Sequence, residues 1–284
     1  MTLFEHFQLG DVRLKNYNFV CQQTGKCCSH IRGFIGEKEK EFFEEFAYGK
    51  LPLVQIIPIE KISFPLWDWE AKRFIEGANK KNIDHKIGPS RVVFDQLENQ
   101  TIIFTYSIDS DSCTFLNSGK CEIYQDRAFI CRLFPFQKSP FLKTDDEFSK
   151  ESLFGSCPSI KHIVPNIPEN FKDMIKFLHQ NFGNNFESAV ENDHITSWIN
   201  QTIIDLMKQK VIKPTMNYPY EFLLKRIEKS KKIDLTDFLI EKGIYSQHEM
   251  EDIINKFETN YHAKLKLKEV FGNDFDSGNE CPGS

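Results

Sequence analysis

The sequence lacks any apolar run long enough to form a membrane-spanning helix. No segment approaches the roughly 18 consecutive apolar residues that crossing a bilayer requires. The N-terminal residues include Glu5 and Asp11 and have no continuous apolar core, so they do not fit a secretory signal. We therefore expect a cytoplasmic protein with no membrane partner. In that reducing compartment, eight cysteines are better explained by metal or redox chemistry than by disulfides.

An excess of positive charge is also missing. The chain has 36 Lys and Arg against 41 Asp and Glu, a formal net charge of −5 and a pI near 5.9. Dedicated nucleic-acid binders are usually basic, so we expect no nucleic-acid partner. The local clusters Lys225-Arg226 and Lys231-Lys232 are surrounded by acidic residues and are typical of a solvated helix face.

The common catalytic signatures are absent as well. The sequence contains no glycine-rich phosphate loop, no G-x-S-x-G elbow, no H-E-x-x-H and no internal repeat. A cysteine nucleophile at Cys131, paired with one of the eight histidines, has no local signature to support it. Sequence motifs therefore assign no reaction. Two residue types stand out instead, 27 phenylalanines and eight cysteines.

The pattern of apolar residues predicts an α+β fold. β-branched segments at 91–94 and 101–108 flank a polar turn and predict an antiparallel hairpin, with further short strands before Val20. We expect this small sheet and its helices to surround a cysteine metal cluster, with an all-helical region following it. Helical periodicity or capping signals predict helices at 37–48, 68–80, 169–181, 194–210, 218–229, 235–242 and 247–269. The expected domains are a cysteine-cluster domain at 1–164, a helical domain at 165–272 and a flexible polar tail at 273–284.

Seven cysteines form three groups separated by long intervals. They are Cys21, Cys27 and Cys28; Cys113, Cys121 and Cys131; and Cys157. Thiolates are the preferred ligands of structural zinc and of iron–sulfur clusters, and folding brings such ligands together. Isolated free cysteines are often small apolar core residues, but that alternative fits poorly here, since most of these lie beside Gly, Ser, Lys or Arg. Positive neighbours favour the thiolate that coordination needs.

Other residues qualify this metal-site hypothesis. The adjacent pair Cys27-Cys28 is expected to point its side chains apart, which favours two metals, a bridging thiolate, or one ligand with one redox-active thiol. His30 is a candidate eighth ligand, whereas Cys281, in the polar tail, is set aside. Arg127 and Arg132 are candidates to bind a carboxylate or a cofactor near the site. The alternative for both arginines is a hydrogen bond to loop carbonyls or to an acidic neighbour.

These cysteines and their surroundings resemble a known family. It is the YkgJ-type cysteine-cluster family, also described as a zinc- or iron-chelating CxxCxxCC domain. The resemblance spans roughly Phe19 to Ser159 and is carried by FVCQQTGKCC, CTFLNSGKCEIYQDRAFICRLFPF and GSCPSI. Thr24 stands where the family has a second cysteine, and Ala128 stands where it has proline. The resemblance implies a multi-cysteine centre, with the ligand at position 24 altered.

Three functions remain open from the sequence. The first is a protein that binds zinc or an iron–sulfur cluster, such as [4Fe–4S], in a structural or redox role. The second follows from a wider resemblance to flagellin lysine N-methylases, which implies an iron–sulfur-dependent enzyme that uses S-adenosylmethionine. The third is an interaction module, stabilised by metal, whose C-terminal helices bind a protein partner.

Overall fold

A short mixed sheet and the helices on both of its faces make up the architecture. The computed structural model describes residues 19–32, 37–136 and 157–272. The expected strands before Val20, the tail at 273–284 and Cys281 lie outside these ranges. The α+β class predicted from the sequence is confirmed. Within the described residues, no helix combines the length and apolarity that a bilayer span requires.

The strands are short except for the central hairpin. They are β1 (Leu53–Gln55), β2 (Pro65–Trp67), β3 (Ile87–Asp95), β4 (Gln100–Ile108), β5 (Leu116–Asn117), β6 (Lys120–Cys121) and β7 (Lys231–Asp234). The main sheet has the order β1-β3-β4-β2, all antiparallel, and β7 pairs parallel with β4. One edge of β4 is therefore shared, because β7 pairs with its first half and β2 with its second. Strands β5 and β6 form a separate hairpin.

Helices make up most of the remaining structure. They are α1 (Lys26–Ser29), α2 (Glu37–Phe42), α3 (Asp68–Lys80), α4 (Phe129–Arg132), α5 (Phe171–Phe182), α6 (Asn184–Lys208), α7 (Tyr220–Lys229), α8 (Leu235–Glu241), α9 (Gln247–Glu258) and α10 (Tyr261–Phe271). A π-helical turn, Phe43–Ala47, continues α2. Two 3-10 turns, Ile59–Lys61 and Val164–Asn166, complete the set.

Alternating residues of β3 and β4 build two cores, one on each face of the sheet. Val93 and Phe104 belong to a large core with α4 and the C-terminal helices. Val92 and Phe94 face the other way and pack with Leu223 of α7. This division follows from the strand period of two. A third core lies around α3, β2 and the segment at 113–131.

Three details of the C-terminal half differ from the sequence prediction. Helix α6 begins at Asn184, ten residues before the predicted start at 194. The predicted helix at 247–269 is two helices, since Asn260 adopts φ 55, which interrupts the helical path between α9 and α10. The buried Asn260 amide donates to Asn184 Oδ1 at 2.7 Å, and this contact favours the turn. Strand β7 was not predicted, because only Ile233 of its four residues is buried. The proposed division at residue 165 stays a prediction.

A buried carboxyl group joins α3 to α8. Asp68 Oδ2 accepts hydrogen bonds from Thr236 N and Thr236 Oγ1, both at 2.8 Å. Burial raises the pKa of Asp68 to about 7, with a further rise from Asp234, while the Thr236 hydrogen bonds and Lys72 oppose it. Asp68 is fully buried, so its charged form is disfavoured in the folded state.

We expect the Asp68→Asn variant to lose much of the pH dependence of folding stability. A carboxyl group whose pKa is raised on folding contributes its stability in full below its unfolded value of about 4 and loses it as pH rises towards about 7. Between about pH 4 and about pH 8, the free energy of unfolding of the wild type should therefore fall by up to about 4 kcal/mol relative to that of the variant. Urea denaturation at both pH values measures this, with the exposed Asp84→Asn as the control. Parallel stability profiles for wild type and Asp68→Asn would contradict it.

Candidate metal centre

A cavity of about 590 Å³ brings the three cysteine groups together. Much of its remaining wall is aromatic and aliphatic. The cysteines that line it are Cys21, Cys27, Cys28, Cys113, Cys121, Cys131 and Cys157. All seven are free thiols and partly exposed. The seven thiols therefore line one cavity in the described structure, and their role as metal ligands stays a prediction.

Backbone hydrogen bonds hold the first cysteine group against the other two. Cys113 N donates to Cys28 O at 2.7 Å, and Ile31 N donates to Asp111 O at 2.9 Å. Gln22 N donates to Ser159 Oγ at 3.1 Å, which joins the loop of Cys21 to the segment that begins at Cys157. These bonds cross long intervals of sequence. They explain how separate segments can present thiols to one cavity.

A glycine turn sets the direction of α1, the short helix that carries Cys27 and Cys28. Gly25 has φ 72, and its carbonyl accepts from Cys28 N and Ser29 N at 3.0 and 2.9 Å. An added Cβ would lie 3.1 Å from Leu116 Cδ1 and 3.3 Å from Gly119 O. Both the left-handed conformation and the close approach to the β5–β6 hairpin thus favour glycine at this position.

We expect the Gly25→Ala variant to destabilise the cavity wall. The left-handed conformation costs a non-glycine residue about 1–2 kcal/mol, before any contact with Leu116 is counted. Gly77 in α3 provides a matched control, because its Cβ would meet nothing within 4 Å. Gly77→Ala should instead stabilise the protein by about 0.5–1 kcal/mol, as expected within a helix. Thermal denaturation of both variants tests this, and equal effects would contradict it.

The adjacent cysteines of α1 point the same way. Their sulfur atoms, Cys27 Sγ and Cys28 Sγ, lie 3.8 Å apart. The sequence predicts that these two side chains diverge, but in the structure both side chains of this single helical turn line the cavity. Zinc–sulfur bonds of about 2.3 Å in a tetrahedron place neighbouring sulfurs about 3.8 Å apart. This pair therefore has the spacing of two ligands on one ion.

The helix that carries Cys131 is held by a buried carboxyl group. Glu70 Oε1 accepts from Phe129 N at 2.6 Å, and Glu70 Oε2 accepts from Trp67 N at 3.1 Å. Glu70 is fully buried, and burial, with a smaller contribution from Glu258, raises its pKa to about 7. Sequence reasoning missed this role. Its signal in the sequence is a glutamate four residues before Phe74, which places the two side chains on the same face of the helix.

Burial of many thiols in one place disfavours their ionisation. Burial raises the pKa of Cys113 to about 11, and it raises that of Cys121 as well. Burial, then repulsion from Cys113 and other thiols, raises the pKa of Cys131 well above its usual range. Cys27 is the exception, since a hydrogen bond from Cys28 lowers its pKa to about 7, with a smaller contribution from Arg127. A metal cation would reverse this balance by stabilising every nearby thiolate.

The donor set fits a thiophilic metal or an iron–sulfur cluster. Both are held by thiolates, and one tetrahedral site or one cluster uses four. Seven thiols on one cavity exceed that number. Among the described residues, however, no group of three or more potential ligands already has metal-site spacing. Binding would therefore draw thiols together from the cavity wall.

The other predicted site residues lie in different environments. Arg127 lines the cavity and stacks over Tyr124, with its guanidinium carbon 4.4 Å from the ring centroid. Arg132 is bonded instead to Glu258 of α9, from its Nη2 to the carboxylate Oε2 at 2.7 Å. His30 is exposed and is not among the described residues that line the cavity. Thr24 does line it, at the position where the sequence resemblance has a cysteine.

Comparison with known proteins agrees with this site. Residues 20–153 match the family model CxxCxxCC, described as "Putative zinc- or iron-chelating domain". This part of the chain is similar to a CxxCxxCC domain. The match covers just under half of the chain and includes six of the seven cavity cysteines, with Cys157 four residues beyond it. No curated protein and no solved structure matches the chain.

The family match supports metal binding in general. Its description names zinc and iron as alternatives and does not choose between them. The wider resemblance to flagellin lysine N-methylases is not shown by these comparisons. The C-terminal helices lie outside the matched segment, and the family model assigns them no role.

Proposed function

We propose that this protein binds zinc or an iron–sulfur cluster in a structural or redox role. The proposed ligands are Cys21, Cys27, Cys28, Cys113, Cys121, Cys131 and Cys157. The observation that carries the proposal is the convergence of free thiols from three distant segments on one cavity. The family match to a chelating domain supports it independently.

The seven thiols divide naturally into a close pair and a surrounding set. Cys27 and Cys28 have the sulfur separation expected for two ligands of one ion. The charges of Cys131 and Cys113 contribute to raising the pKa of Cys28. Cys121 and Cys21 extend the same group, since the charges of Cys27 and Cys21 both contribute to raising the pKa of Cys121. This arrangement suits a four-thiolate centre with three further thiols that are not ligands, or a centre that contains more than one metal. His30 remains a predicted ligand, although its ring is exposed in this structure.

Metal-dependent protection of the thiols tests the ligand assignment. Anaerobic alkylation followed by mass spectrometry reports each cysteine separately, with and without prior removal of metal by a chelator. We expect the cavity cysteines to be protected only in the metal-loaded protein and Cys281 to react in both states. Protection that the chelator does not change would mean that burial alone shields the thiols, which would contradict the assignment.

A metal-dependent enzyme is the second candidate. The specific observation in its favour is the cavity itself, since about 590 Å³ is the size of a small-molecule site and Arg127 lies in its wall. Within the described residues, no carboxylate pairs with Arg127, so it is available to bind a carboxylate or an anionic cofactor. The sequence resemblance suggests a protein lysine methylase that uses S-adenosylmethionine. Calorimetry with S-adenosylmethionine and the metal-loaded protein tests this, and the absence of binding would reject the methylase.

The remaining expectations concern location and partners. A cytoplasmic location follows from the sequence alone and stays a prediction. A protein partner for the C-terminal helices, which would make the chain a metal-stabilised interaction module, likewise stays a prediction.

A further inference from the structure

The helix that carries Cys131 is too short to hold its own orientation. Helix α4 has four residues, and isolated helices are marginal in water even when they are three times longer. Contacts with the rest of the protein must therefore determine where the Cys131 thiol points. Its first residue is anchored by the hydrogen bond from Phe129 N to Glu70. Its last residue, Arg132, is anchored by a different part of the chain.

Arg132 is held by the C-terminal end of α9. Its Nη2 donates to Glu258 Oε2 at 2.7 Å, and its Nη1 donates to the Glu258 backbone carbonyl at 3.2 Å. The last carbonyls of a helix have no intrahelical donor and carry partial negative charge, so a guanidinium is well suited to this position. The Arg132 guanidinium also stacks on Phe129, 4.4 Å from the ring centroid. Both side chains of the ion pair are only about one-fifth exposed.

We propose that Glu258 is a positioning residue for the cysteine centre. Through Arg132 it fixes the orientation of α4, and so it couples metal binding at Cys131 to the packing of the C-terminal helices. This inference rests on the proposed metal-binding function. It assigns a role to helices that lie outside the CxxCxxCC match, since Glu258 comes more than a hundred residues after the matched segment ends.

The coupling has an intrinsic optical reporter. Two of the chain's three tryptophans pack against Phe257, the residue before Glu258, and the third stacks on one of them. Trp69 and Trp198 lie 5.7 and 5.4 Å from the Phe257 ring, and Trp67 stacks on Trp69 at 5.9 Å. Since coupling is reciprocal, metal binding should change the packing at α9 and hence the tryptophan emission. Zn²⁺ is a d¹⁰ ion without redox chemistry, so it should not quench emission in the way that iron would.

Zn²⁺ titration of the full-length, metal-free protein tests the proposal. We expect Glu258→Ala to weaken Zn²⁺ affinity about tenfold. Loss of a residue that positions a metal ligand typically costs about 10–100-fold in metal affinity, and this value is at the lower end. The same variant should lose the Zn²⁺-dependent change in tryptophan emission. Asp252→Asn is the matched control, because it removes a carboxylate from the same helix, and the ion-pair partner of that carboxylate is Lys256 and not Arg132. Its affinity should stay within about twofold of wild type.

The outcomes separate this inference from the function on which it rests. If wild type binds no Zn²⁺ and no iron, the proposed function fails before any variant is compared. If wild type binds Zn²⁺ and Glu258→Ala matches it in affinity and emission change, the coupling is wrong and the metal site stands. Should Glu258→Ala not fold, Glu258→Gln, which keeps an oxygen acceptor but not the charge, takes its place. An unchanged affinity and an unchanged emission response in Glu258→Gln would then overturn the proposal.

Discussion

Replacing Cys131 with serine is expected to weaken metal binding by about 100-fold or more. Four-thiolate sites bind zinc with apparent free energies of about 10–16 kcal/mol, so one thiolate contributes about 3 kcal/mol, which is roughly a hundredfold in affinity. Cys131 is the appropriate position because it lies on the short helix α4, between two anchored ends. Serine is nearly the same size, and it therefore tests the sulfur atom rather than the packing.

Cys281→Ser is the matched control for this variant. It makes the same chemical change at the one cysteine that the proposal leaves out. Competition with a chromophoric chelator under anaerobic conditions measures both affinities. Equal affinities for Cys131→Ser and wild type would contradict the proposed ligand set, and a large loss in Cys281→Ser would show that the set is incomplete.

Replacing Glu70 with alanine is expected to destabilise the metal-free protein by about 3 kcal/mol. The substitution leaves two backbone N–H groups, those of Phe129 and Trp67, without their acceptor. Each buried donor that loses its acceptor costs about 1–3 kcal/mol of stability. Removing the carboxyl group also removes the cost of burying it, which offsets part of this loss. Metal affinity should fall as well, because α4 loses one of its anchors.

The exposed Glu76 is the control for this variant, since it lies on the same helix α3. Glu76→Ala should change the free energy of unfolding by no more than about 0.5 kcal/mol. Urea denaturation of the metal-free forms measures both effects. If Glu70→Ala is no less stable than Glu76→Ala, Glu70 does not anchor α4 in the way described.

Local chemistry in the sequence accounts for the parts of the fold that were predicted well. The β3–β4 hairpin follows from alternating β-branched residues around a polar turn, and α3 was predicted at the bounds that the structure shows. Strand β7 escaped prediction because its parallel pairing with β4 joins segments about 130 residues apart. The break at Asn260 depends on a contact with Asn184 that no local pattern records.

The candidate site was likewise predicted only in part. Cysteine spacing and the family resemblance identified the cysteines that line the cavity, since groups of thiols are a recognisable feature of a sequence. The direction of each thiol could not be predicted from spacing, and the convergent pair Cys27 and Cys28 is the clearest example. The groups that position these thiols were also missed, because Glu70 and Glu258 look like ordinary helix residues until their partners are known.

Metal analysis of protein purified without oxygen, combined with its visible absorption spectrum, tests the central claim most directly. We expect either stoichiometric zinc in a colourless protein, or iron and labile sulfide with broad absorbance at about 400 nm. Either result supports the proposed centre and decides between its two forms. Protein that contains neither metal, and whose cavity thiols all titrate as free, would contradict the account.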